Sequence, residues 1–110
     1  MISYDDFQKV DMRVGRISAV EEFPRAKNPS FRVQVDFGTE LGTKWSSVQA
    51  KRDYTPEQLM GRLVVCTVNF PPKNIAGFMS EVLVMGVSND AGALVLLQPD
   101  RDAPLGSRVY

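Results

Sequence analysis

At 110 residues, with 13 Lys and Arg against 13 Asp and Glu and no histidine, the chain is sized for one domain that buries roughly two-thirds of its unfolded surface. The absence of histidine removes the commonest general base, the commonest metal ligand and every Ser-His or Cys-His pair, which leaves any catalysis to Asp, Glu or Lys. No apolar run reaches the ~18 residues of a membrane helix, the acidic Met-Ile-Ser-Tyr-Asp-Asp start has no apolar signal region, and Cys66 has no disulfide partner; together these predict a cytoplasmic protein.

Residues 3–10 predict a short helix. Ser3 can cap it, Asp5 and Asp6 occupy the first turn where the helix dipole favours anions, and Tyr4, Phe7 and Val10 fall along one side. Residues 12–23 predict a long strand whose alternation changes phase, with Met12 and Val14 on one parity and Ile17 and Ala19 on the other. Gly15 stands at the change, so a bulge is expected there. Phe23-Pro24 ends this strand, and residues 25–30 form a polar loop. Residues 31–37 alternate cleanly, apolar at odd positions and polar at even ones, which predicts a strand with one core face and one wet face. Residues 43–49 predict a third strand carrying Lys44, Trp45, Ser46 and Ser47. Thr55-Pro56-Glu57-Gln58 is a capping box with Pro at the first helical position, and Gly61 can supply the left-handed stop.

Two apolar, β-branched runs, residues 64–68 and 82–87, predict strands on either side of a Pro-Pro loop. Pro71 and Pro72 lack a backbone N–H and fix φ, so the first of these strands stops at Phe70 and the connection is stiff. This loop sets the hydrogen-bonding side chains Asn69, Lys73, Asn74 and Ser80 beside the large apolar Phe70, Ile75 and Phe78, a mixture suited to a binding surface. Asn69 is expected to bond backbone within the turn. Residues 88–92 are a turn, residues 93–98 a last strand, and residues 99–106 irregular. A short N-terminal helix, three strands, a short helix and then two or three strands is the layout of an all-β OB-fold, a five-stranded Greek-key barrel with its helix between strands three and four.

The later strands are apolar on both parities, whereas a barrel strand in a monomer should show one polar face. A two-fold homodimer is therefore expected, with Tyr4, Phe7, Leu63, Phe70, Ile75, Leu83 and Leu94 as interface residues. Charge is unevenly spread. Residues 25–73 hold eight cations against four anions, so a neutral total conceals a local excess of positive charge. An OB-fold binds nucleic acid on the face of its second and third strands, with cations on phosphates and aromatics under bases. Arg32, Gln34, Lys44, Trp45, Lys51, Arg52, Lys73 and Ser80 are the candidates for that role. Each cation can equally be a solvated surface charge, and Trp45 a rim packing residue. Phe78 and Met79 are candidates for holding apolar peptide, or for further interface. Asp11, Asp36, Glu57 and Glu81 are scattered singly, with no glycine-rich phosphate loop and no metal spacing, so neither an enzymatic activity nor a cofactor or metal is expected. Asp11 and Glu81 read instead as anchors for Arg13 or for backbone.

Five segments in order, Asp11-Met12-Arg13-Val14-Gly15, Phe23-Pro24, Asp36-Phe37-Gly38, the run from Tyr54-Thr55-Pro56 to Met60-Gly61, and the loop over residues 69–80, resemble the tRNA-binding domain family, the OB-fold module attached to some aminoacyl-tRNA synthetases and also found alone. Within it, Asn69-Phe70-Pro71-Pro72-Lys73, Ile75, Gly77-Phe78 and Ser80-Glu81-Val82-Leu83-Val84 are most similar to the short bacterial CsaA proteins. The resemblance covers essentially the whole chain. It implies a non-enzymatic cytoplasmic homodimer that binds tRNA and serves as a chaperone linked to protein export, engaging unfolded or preprotein segments. The alternative is primarily a tRNA-binding protein with no chaperone role. Asn74 and Met79 stand where such proteins can carry a basic residue.

Overall fold

The computed structural model describes residues 1–110. Helix α1, Tyr4–Gln8, begins at a reciprocal cap in which Ser3 Oγ accepts from the Asp6 N–H and the Asp6 carboxylate accepts from the Ser3 N–H, both at 3.1 Å. Strands β1 (Met12–Glu22), β2 (Phe31–Asp36), β3 (Thr43–Val48), β4 (Leu63–Thr67) and β7 (Leu83–Val84) form one antiparallel sheet in the order β3-β2-β1-β4-β7. β1 is long enough to change neighbours. Met12 to Arg16 pair with β4, and Arg16 to Glu22 pair with β2.

The sheet curls until β3 meets the segment before β7, and there side chains complete the closure. The Glu81 N–H donates to Trp45 O, the Trp45 N–H donates to Glu81 Oε2, and Ser46 Oγ donates to Val82 O, each at 2.8 Å. This is the nearly closed five-stranded barrel of an OB-fold, with two small helices, as the element order predicts. Helix α2, Pro56–Leu59, is a single turn fixed by the expected Thr55/Gln58 capping box, and Gly61 follows at φ +81°. Its Leu59 is fully buried and joins the core of Ile17, Phe31, Val33, Val35, Phe37, Val64 and Cys66.

Four details depart from the sequence reading. The register slip in β1 falls at Ser18, between Ile17↔Val35 and Ala19↔Gln34, and not at Gly15. Gly15 has a steric role instead: a Cβ there would collide with Val35 and approach the Phe37 ring to 2.8 Å. Second, residues 82–87 are not one strand. Met85 bends between β7 and β8 (Gly86–Ser88); its N–H reaches Val65 O at 2.9 Å and its carbonyl accepts from the Leu97 N–H at 3.1 Å. β8 then pairs with β9 (Leu94–Leu96). Third, the Pro-Pro loop contains a hairpin, β5 (Lys73–Ile75) against β6 (Phe78–Ser80). Ala76 and Gly77 turn it, both at positive φ (51° and 86°), a combination that matches the twist of a two-residue hairpin. Fourth, residues 106–109 are not free of structure but run along β1 opposite β4. Val14 N–H donates to Ser107 O, Gly106 N–H to Val14 O and Val109 N–H to Met12 O.

Candidate nucleic-acid interface

The outer face of β2 carries Arg32 and Gln34, and antiparallel pairing sets Ser47 and Trp45 opposite them on β3. At the end of that face, β1 delivers Phe23 and the β5–β6 hairpin delivers Phe78. The Arg32 guanidinium lies 5.5 Å from the centroid of each ring. The two rings are 5.3 Å apart at 64°, and Trp45 meets Phe78 edge-on at 6.4 Å and 88°. Arg32 also reaches Glu21 through Nη2 at 2.9 Å, but its buried Nε has no acceptor. Around this stack opens a cleft of about 390 Å³, rimmed by Pro24, Arg25, Gly77 and Met79. Aromatic faces and a guanidinium plane held together form a platform on which a further flat group can stack.

Of the predicted site residues, Arg32, Trp45, Phe78 and Met79 come together here. Lys73 and Ser80 face each other across the hairpin as a β5–β6 pair. Ser80 Oγ accepts from the Ser47 N–H at 3.1 Å, so that hydroxyl helps close the barrel. Lys44 sits opposite Val35, on the face that carries the core, and its neighbour Trp45 points the other way. Lys51 and Arg52 lie apart. Lys51 pairs with Glu22 and stands over the Phe31 ring, and Arg52 donates to Ala91 O at 2.8 Å. Phe23, Pro24 and Arg25 line the cleft but were not singled out by sequence: an aromatic before proline reads as the end of a strand, and Arg25 as a loop charge. The chain's six ion pairs engage neither Arg25, Lys44 nor Lys73.

The apolar candidates divide by place. Tyr4 and Phe7 stack at 6.1 Å and, with Val109 and Tyr110, enclose a small cavity of about 120 Å³ at the chain ends. Phe70, Met79 and Leu83 are each about half exposed, Leu63 is half-buried, and Ile75 pairs with Phe78 across the hairpin. Leu94 differs from the reading of β9 as outward-facing at that position. It packs on the core over Gly86, which has no side chain, while Val95 and Leu97 take the outer face. Asn69 does bond backbone, but that of the chain preceding β1. Its amide donates to Lys9 O at 2.7 Å and its carbonyl accepts from the Asp11 N–H at 3.0 Å.

No group of three or more Cys, Asp or Glu side chains is arranged to hold a metal. Burial pushes the Cys66 thiol up to about 12, so it is a neutral core group at physiological pH and no nucleophile. Asp11 and Glu81 are spent as anchors, the first on Arg13 and the second on the Trp45 N–H.

The family model described as "Putative tRNA binding domain" matches residues 12–108. Among solved structures, the chaperone CsaA from Bacillus anthracis str. Ames is 47% identical with a TM-score of 0.93, covering 100% of this chain and 99% of its own. The CsaA chaperone protein from Picrophilus torridus is 42% identical, also at 0.93, with complete coverage of both chains. A methionine–tRNA ligase from Pyrococcus abyssi is 36% identical over 108 residues, and this chain spans only 14% of that protein's length. The match from the first residues of β1 to the residues that clasp it at the other end, together with the near-superimposable barrels, places this chain in the tRNA-binding domain family, and within it in the CsaA group.

Proposed function

We propose that this protein binds tRNA at the Phe23–Arg32–Phe78 cleft, acting by binding alone and without catalysis. One observation carries this reading: a guanidinium packed against two touching aromatic rings, beside a third aromatic and an unpaired Arg25. Single-stranded loops and ends of RNA are met this way, with bases splayed onto rings and guanidinium planes and phosphates on nearby cations. Arg25, which lines the cleft with Phe78, and Lys73, on the same hairpin as Phe78, supply such cations. The family description and the tRNA ligases that share this domain support the choice of tRNA.

The exposed Met79 on the cleft rim and the exposed Phe70 before the hairpin favour a second activity, the holding of unfolded or preprotein segments as an export-related chaperone. The whole-length likeness to CsaA chaperones supports it. Leu83, Val87, Val95 and Leu97 leave an apolar outer wall, which supports a homodimer that covers it.

Fluorescence anisotropy with tRNA tests the first reading. Phe78→Ala removes one ring of the stack and is expected to weaken binding about 10-fold or more, a stacked base being worth ~1–3 kcal/mol. Binding unchanged in that variant overturns the site. Calorimetry with an unfolded preprotein segment tests the second: binding with a negative heat-capacity change and little salt dependence is expected, weakened in Met79→Ala. Sedimentation as a monomer at micromolar concentration would reject the dimer.

A further inference from the structure

At the other end of the β1–β2 ladder lies a second, larger cleft of about 450 Å³, between α2 and residues 98–102. Arg16, which pairs with Asp36 and Leu63, lines it, whereas Phe23 and Arg32 mark the opposite end at Glu22↔Phe31. Six residues of β1 separate the two, about 20 Å at ~3.3 Å per residue. Seven of its eleven lining residues are polar, and they include three guanidinium groups, Arg16, Arg62 and Arg101, against two carboxylates, Asp100 and Asp102.

Two of these arginines, Arg16 and Arg62, are held without a carboxylate partner, as Arg52 is elsewhere on the surface, but here the two line one cleft. Arg16 donates Nη1 to Gly61 O at 2.7 Å. Arg62 donates Nε to Gln58 O at 3.3 Å and Nη1 to Gln98 Oε1 at 3.1 Å, and its guanidinium lies 5.2 Å from the Tyr54 ring. Every one of these acceptors is neutral, and neither arginine is in an ion pair. A guanidinium fixed by carbonyl and amide oxygens and by a ring has its orientation set while its charge stays uncompensated, and each keeps unspent N–H donors. That is preorganisation for an oxyanion, which guanidinium forks match in shape. Arg101 is different, being exposed and paired with Asp100.

We propose that this cleft is a binding site for a phosphate group, with Arg16 and Arg62 as its ligands and Asp100 and Asp102 as opposing charges at the rim. A phosphodiester of bound RNA as occupant rests on the RNA-binding reading above and extends the footprint from the aromatic cleft along β1. Free phosphate shares the same chemistry.

The double variant Arg16→Gln/Arg62→Gln, titrated with tRNA between about 50 and 200 mM salt, is expected to lower the slope of log K against log salt by about one, for the one phosphate the cleft no longer neutralises. Phe78→Ala should weaken binding yet leave that slope in place. Asp102→Asn, which removes an opposing charge, should tighten tRNA binding about twofold to threefold, a gain that loss of folding cannot produce. In a parallel arm, inorganic phosphate is titrated while the arginine Nε–H resonances are followed by NMR. Shifts at Arg16 and Arg62 in the wild-type protein that the remaining arginines do not show assign the site to free phosphate as well; shifts with tRNA alone assign it to the RNA backbone. An unchanged slope in the double variant, with no shift from inorganic phosphate, overturns the site. Wild-type protein that fails to bind tRNA at any salt defeats the RNA reading, and the phosphate arm then decides this cleft by itself.

Discussion

Arg13 and Arg32 stand on neighbouring strands and each meets a carboxylate, yet the two are built in opposite ways. Asp11 takes Nε and Nη2 of Arg13 at 2.6 and 3.3 Å, Gly106 O takes Nη1 at 3.0 Å, and Arg108 approaches the same carboxylate at 3.6 Å. The Asp11 hydrogen bonds raise the Arg13 guanidinium above its ordinary pKa, and both side chains are four-fifths buried. Arg32 makes one contact to Glu21, its pair is open to solvent, and its remaining surface is given to rings. When all three nitrogens of a guanidinium donate within the chain, the arginine ties strands together. With donors unspent and a face against aromatics, the same group is available to a ligand.

Three substitutions test this contrast. The largest effect is expected from Arg13→Ala, which leaves Asp11 with Arg108 alone and removes the side-chain tie to Gly106: a loss of about 2–3 kcal/mol in urea unfolding, with tRNA affinity of the folded protein unchanged. Should Arg13→Ala weaken tRNA binding while leaving stability intact, the roles are reversed. Next is Arg32→Lys, which keeps the charge but removes the planar group between the rings. A loss of about 1.4 kcal/mol in tRNA binding, or tenfold, is expected with stability nearly constant. A cost of several kcal/mol in folding would put Arg32 in the same structural class as Arg13. The smallest effect belongs to Glu21→Gln. An exposed ion pair contributes at most about 1 kcal/mol to stability, so unfolding should barely move, while tRNA binds about twofold tighter once Arg32 is freed from its competitor. Weaker binding in this variant would show that Glu21 orients Arg32 for its ligand.

Sequence alone carried the barrel further than it carried the cleft. Residues 31–37 were legible because β2 has one wet face, so alternation reports burial directly, and Thr55 to Gln58 because a reciprocal cap is a local device. The β5–β6 hairpin was hidden for the converse reason. Its strands are three residues each, its Ala76-Gly77 turn lacks the usual Asn-Gly signal, and the prolines before it read as a stiff loop. Phe23 and Arg32 lie nine residues apart in sequence and Phe78 far beyond them; no period links them, and only closure of the sheet makes them neighbours. The pairing of residues 106–109 with β1 was likewise unreadable, since Pro104 and Gly106 mark that stretch as irregular while its hydrogen bonds to β1 are all long-range. Lys44 and Trp45 show a subtler limit. Adjacent strand residues face opposite ways, so membership of one strand does not place both in one groove.

Gly15 divides the chain into parts that can and cannot diverge. Any side chain at that position needs both Val35 and Phe37 to give way at the same moment, because their side chains already fill the space over Gly15 and leave no void to absorb an added methyl group. Descendants of this sequence can therefore exchange hairpin tips and rim charges one mutation at a time and acquire new ligands, whereas a change at position 15 requires a simultaneous second step inside the barrel.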